Sequence, residues 1–81
     1  MVNVEVTPHF QRTFSKIDIS VKERVLRQIE KIKGNPETGK PMRYARKGTR
    51  DLHIAPFRLS YAYVREEDKI ILLDLYHKNE Q

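Results

Sequence analysis

The sequence predicts an α+β domain: an N-terminal strand, a helical hairpin, then a C-terminal antiparallel meander, with the helices packed on one face of a twisted sheet. Three features lead there. An apolar–polar alternation opens the chain, two amphipathic segments fill residues 8–34, and strand-like runs separated by short links occupy the C-terminal half. With 81 residues the chain supports a single domain, 1–81, and no deep enclosed pocket. Any chemistry belongs on an open face, where a macromolecule fits better than a metabolite.

Val2, Val4 and Val6 alternate with Asn3 and Glu5, the period of a half-buried strand, and Thr7-Pro8 ends it. Thr is a good cap and Pro suits the first helical position, so a short helix runs from Pro8 to about Lys16, with Phe10, Phe14 and Ile17 on one face. Asp18 and Ile19 form a tight link. Ser20-Val21-Lys22-Glu23 has the form of a capping box, in which hydroxyl and carboxylate each satisfy a free backbone N–H. Val21, Val25, Ile29 and Ile32 then recur at helical spacing with Leu26 beside them, until Gly34 and Pro36 stop the helix. Residues 35–41 contain two Pro, a Gly and an Asn and form a loop. Beyond it, strands are expected at about 42–46, 50–55, 57–65 and 69–76.

Composition narrows the chemistry. The absence of Cys excludes disulfides, Cys-ligated zinc and thiol catalysis. His9, His53 and His77 are far apart, without paired metal-ligand spacing, so neither metal nor cofactor is expected. The longest aliphatic run, Ile70 to Leu73, is far too short to span a bilayer, and the N-terminus lacks a signal-like apolar core, so the expected location is the cytoplasm, away from membranes.

The net charge of +5 is local: residues 40–65 carry Lys40, Arg43, Arg46, Lys47, Arg50, Arg58 and Arg65 against Asp51 alone, a surplus of +6. Tyr44, Phe57, Tyr61 and Tyr63 interleave with them, the footprint expected for phosphate backbones, although basic patches also bind acidic proteins.

Glu66, Glu67, Asp68 and Lys69 make a hairpin loop of common length. If Arg65 pairs with Ile70, Arg58 falls opposite His77 and the two share a face. A one-residue slip separates them, and the apolar pattern, present on both faces, does not fix the parity. Arg grips phosphate in a fork and His moves protons near neutral pH. Together they can cleave RNA without a metal: a base takes the 2′-OH proton, the oxygen attacks phosphorus, cations stabilise the transition state and an acid protonates the leaving oxygen. Taken singly, His77 also fits an exposed residue just past a strand end, and Arg58 a surface salt bridge with Asp51 or Glu80.

The order of elements resembles the RelE/ParE superfamily of type II toxin–antitoxin toxins along the whole chain. Phe57-Arg58-Leu59-Ser60-Tyr61 looks like the family's aromatic-Arg-aliphatic-X-Tyr strand. Ile70 to Leu75 with Tyr76-His77-Lys78 looks like its final strand and catalytic terminus, and Leu52-His53-Ile54 like the strand before the Arg. The resemblance implies a RelE-type mRNA interferase, a ribosome-dependent endoribonuclease that cuts mRNA in the A site and leaves a cyclic phosphate and a 5′-hydroxyl. It also implies a cognate antitoxin, small and acidic, that masks the basic face. Carried over, Arg58 is the phosphate-stabilising arginine, His77 the proton-transfer histidine, and Lys78 a further basic residue of the catalytic terminus. Arg50 and His53, with Arg43, Arg46 and Lys47, are RNA-binding candidates. Many members carry a catalytic tyrosine beyond the last strand; no Tyr follows Tyr76 here, which leaves proton transfer to His77. ParE-type members on the same scaffold inhibit DNA gyrase without cutting RNA, and that is the alternative reading, beside an inactive RNA-binding relative.

Overall fold

The computed structural model describes residues 2–41 and 49–77. β1 (Asn3–Val6) leads into α1 (Pro8–Lys16) and α2 (Ile19–Gly34); β2 (Lys40–Pro41), β3 (Thr49–Ile54), β4 (Phe57–Val64) and β5 (Lys69–His77) follow. The five strands lie in the order β1-β5-β4-β3-β2. β2 to β5 form an antiparallel meander that enters the sheet at its far edge and brings β5 back beside β1, running parallel to it. The expected strand at 42–46 falls outside the described residues. Residues 40 and 41, expected in the preceding loop, already pair with Asp51 and Arg50. Among the described residues no helix is long and apolar enough to cross a membrane.

Thr7 caps α1 as its sequence suggests: Oγ1 accepts from Phe10 N at 3.2 Å and lies 2.8 Å from the carbonyl of Leu73, tying the helix start to β5. The capping box predicted at Ser20 does not form. α2 begins two residues earlier, at Ile19, with Asp18 as its cap. The Asp18 carboxylate accepts from the hydroxyl and the backbone N–H of Ser20, and these bonds hold its pKa below the usual value. Asp18 replaces Ser20 as the cap and takes the Ser20 N–H that Glu23 would accept in a capping box, with its negative charge at the helix start.

The core joins Phe10, Val25 and Ile32 from the helices to Ile54, Leu59, Tyr61, Ile70, Leu72 and Leu75 from the sheet. Val21 and Ile29 pack at its margin, while Leu26 is left 52% exposed. Ala55-Pro56, joined by a cis peptide, turns β3 into β4.

The β4–β5 hairpin departs from the predicted register in two steps. A 3-10 turn at Arg65–Glu67 and a left-handed Asp68 (φ 48°) make Val64 and Lys69 the closing pair, in place of Arg65 and Ile70. Asp tolerates this conformation better than most residues. The pairing then shifts at a β-bulge between Ser60 and Tyr61: Tyr61 faces Leu72, but Ser60 faces Asp74, and Leu73 is the extra residue. Because side chains alternate, one extra residue flips every later assignment. Arg58 therefore pairs with Tyr76, and His77 with Phe57.

Candidate functional site

The sheet face turned away from the core is built from alternate residues of three strands. His53 of β3, Arg58 of β4 and Tyr76 of β5 are successive cross-strand partners, and Asp51, Ser60 and Asp74 form the next row. Neighbouring strands lie about 5 Å apart, so His53 and Tyr76 flank Arg58 on its two sides.

Asp51 anchors the group. Arg58 donates from Nη1 to its Oδ2 at 2.7 Å, and the Tyr76 hydroxyl donates to Oδ1 at 3.4 Å. The carboxylate is 10% exposed and the guanidinium side chain 31%, so this is a partly desolvated pair. Arg58 Nε is buried without a hydrogen-bond partner among the described residues. His53 is exposed and, with Thr38, Gly39, Asp51, Leu52 and Arg58, lines a cleft of about 290 Å³. On the far side Asp74 lies 3.3 Å from His9 Nε2, at the start of α1.

The other predicted residues are distributed differently. His77 projects with Phe57, its ring edge-on to the Phe57 ring at a centroid distance of 5.6 Å, on the face opposite Arg58. The bulge at Leu73 thus overturns the predicted Arg58–His77 pair. Arg50 turns to the helix side, where Nη1 donates to the carbonyls of Gly39 (2.8 Å) and Glu37 (3.3 Å) and holds the 35–39 loop. The same loop is fastened by Tyr61, whose hydroxyl accepts from Gly39 N (2.9 Å) and donates to Pro36 O (2.8 Å). Burial pushes the Tyr61 phenol up, against the opposing effects of the Gly39 N–H and the Arg50 charge. Arg43, Arg46, Lys47 and Lys78 lie outside the described residues.

Tyr76 was not singled out by the sequence. The available signal was Asp74: with unbroken alternation it would share the core face with Tyr61, and an unpaired carboxylate there is costly. A parity change before Asp74 removes that cost.

A family description, ParE toxin of type II toxin-antitoxin system, parDE, matches residues 4–81. The chain belongs to the ParE toxin family. Solved structures place this family member on the RelE/ParE fold. A chain of the RelBE2 toxin–antitoxin complex from Mycobacterium tuberculosis superposes with a TM-score of 0.85 at 23% identity, covering 95% of this chain and 98% of that one. The YoeB/ParE toxin from Agrobacterium tumefaciens gives 0.84 at 15% identity over 94% of this chain and 98% of that chain. The isolated E. coli RelE toxin gives 0.80 at 12% identity, over 95% and 84%. No curated protein sequence matches the chain. The protein is thus a toxin of a type II toxin–antitoxin system.

Proposed function

We propose that this ParE-family toxin is a metal-independent, ribosome-dependent endoribonuclease that cleaves mRNA in the A site, with the row His53–Arg58–Tyr76 as its reaction face. The observation that carries this reading is the row itself, a base and a hydroxyl on either side of a guanidinium oriented by Asp51. His53 takes the proton from the ribose 2′-OH and that oxygen attacks the adjacent phosphorus. Arg58 stabilises the charge that builds on the phosphoryl oxygens, and the Tyr76 hydroxyl protonates the departing 5′-oxygen, leaving a cyclic phosphate and a 5′-hydroxyl. Proton transfer is reassigned from His77 to His53 because only His53 shares a face with Arg58. The shallow face positions little by itself, which fits a toxin acting in the cytoplasm on a substrate that the ribosome presents.

A second reading, non-catalytic inhibition of DNA gyrase, is favoured by the match to a ParE description and by the carboxylate that already neutralises Arg58. In either case the partner is a small acidic antitoxin covering the basic surface. Structures of this fold include the E. coli RelBE toxin–antitoxin complex.

Toeprinting of translating ribosomes with the purified toxin separates these readings. The wild type is expected to produce A-site cuts. His53→Ala and Arg58→Ala each slow cutting by about 10²-fold or more, while His77→Ala stays within a few-fold of wild type. No cutting by the wild type, together with gyrase-dependent DNA breaks, would establish the second reading. Full loss with His77→Ala and none with His53→Ala would return the proton-transfer role to His77.

A further inference from the structure

α2 sorts its charges by side. At 100° per residue, the stripe Val21, Val25, Ile29 and Ile32 faces the core; Glu23 and Glu30 lie on the outer side, while Arg24, Arg27 and, one turn on, Lys31 share one flank. That flank meets the end of β3 across a cleft of about 460 Å³ lined by Arg24, Arg27, Gln28, His53, Ile54 and Ala55. The described arginines of the basic stretch have partners inside the fold: Arg50 on the 35–39 loop, Arg58 on Asp51 and Arg65 on Glu37. Arg24 and Arg27 differ. Both are exposed, and neither forms a hydrogen bond or ion pair with the described residues.

We propose that this cleft is a second phosphate-binding subsite, in which Arg24 and Arg27 hold the backbone of the RNA strand whose scissile phosphate lies at Arg58. The inference rests on the RNA-cleaving reading above. His53 is the link, since it lines both this cleft and the one containing Arg58, so a strand leaving the reaction face crosses His53 directly into the cleft. Guanidinium forks suit phosphate oxygens, and Gln28 adds a neutral donor beside them. An acidic peptide fits less well. Peptide interfaces are anchored by apolar or aromatic side chains, and the only large apolar residue in this wall, Ile54, is 3% exposed.

The test measures binding of a fluorescent, uniformly 2′-O-methylated RNA oligonucleotide, which cannot be cleaved, to the full chain from about 50 to about 300 mM salt. Arg24→Gln/Arg27→Gln is compared with Arg12→Gln/Lys16→Gln, which removes the same charge from exposed positions on α1. Releasing about two phosphate contacts makes the log–log salt slope shallower by about 1.4 for single-stranded RNA. That change is expected for the α2 variant alone, with KM for ribosomal cleavage raised and kcat held. Equal slopes in the two variants, or an α2 variant that loses binding to a poly-glutamate peptide while keeping its RNA affinity, overturn the subsite. If the wild type cuts mRNA and the α2 variant matches it in both slope and KM, the subsite falls while the reaction face stands. If the wild type neither binds nor cuts RNA, both fall.

Discussion

Tyr61 ties the helix side of the sheet to the 35–39 loop. It is fully buried, and its hydroxyl joins two backbone groups of the 35–39 loop, Gly39 N–H and Pro36 C=O. Gly39 is the loop residue that makes this possible: a Cβ there would meet the Tyr61 oxygen at 2.8 Å and the Asp51 carbonyl at 2.9 Å. Tyr61→Phe is expected to cost about 1–3 kcal/mol in chemical denaturation, because Gly39 N–H and Pro36 C=O lose their partner. The phenol also sets an alkaline limit. Its folded pKa is raised above the ordinary phenol value of 10.0, so its neutral form is favoured in the fold; this contribution is intact below pH 10 and declines as pH rises through the folded pKa, because the unfolded chain releases the proton first. Tyr61→Phe should flatten that alkaline decline, and an unchanged decline would assign it to other groups. On the opposite face Asp51 does comparable work for Arg58 and Tyr76, holding a cation and a hydroxyl side by side.

Among the elements, α1 and β5 are joined at the point where the sheet changes register. Thr7 caps α1 while reaching the carbonyls of Leu72 and Leu73, the latter being the bulged residue. One hydroxyl thus serves a helix start and a strand irregularity together. Thr7→Ala is expected to destabilise by about 1–2 kcal/mol, with Thr7→Ser recovering most of the loss; equal stability of all three proteins would show that neither contact matters. The helices were legible because their signals are local. Thr7-Pro8, the apolar spacing from Val21 to Ile32, and Gly34 act within a few residues of the chain. The cap of α2 was misplaced because two acceptors, Asp18 and Ser20, compete over the same first turn, and the winner depends on how the chain enters from α1. The β4–β5 register was not legible for a different reason. Both faces of β5 carry aliphatic residues, so periodicity supplied no penalty for a slip, and Asp74 was the sole local sign of one.

For the whole molecule, electrostatics govern the encounter with the proposed target. Three cations in contact with phosphate, Arg58, Arg24 and Arg27, correspond to a log–log slope near 2 for single-stranded RNA, so affinity should fall on the order of tenfold between about 50 and 200 mM salt. Binding that does not change with salt would contradict a phosphate-directed surface. The size of the chain fits this picture, since the described clefts are open and shallow and the site is a sheet face.

By itself the sequence determined the α+β class, the order of strand, helical hairpin and meander and the core stripe of α2, because each depends on periodicity, capping chemistry or residue type over short spans. The local charge surplus at 40–65 was also plain. Only the tertiary structure decided which of the described charges stay available: Arg50, Arg58 and Arg65 found partners at Gly39, Asp51 and Glu37, and the cations beside His53, Arg24 and Arg27, which pair with none of the described residues, came from α2. It decided as well which histidine accompanies Arg58. A single extra residue at Leu73 reverses the alternation of side chains along the rest of β5, sending His77 to Phe57 and bringing Tyr76 to Arg58. Such a choice rests on pairing between strands and on the contact of α1 with the bulge, which no local window of sequence contains.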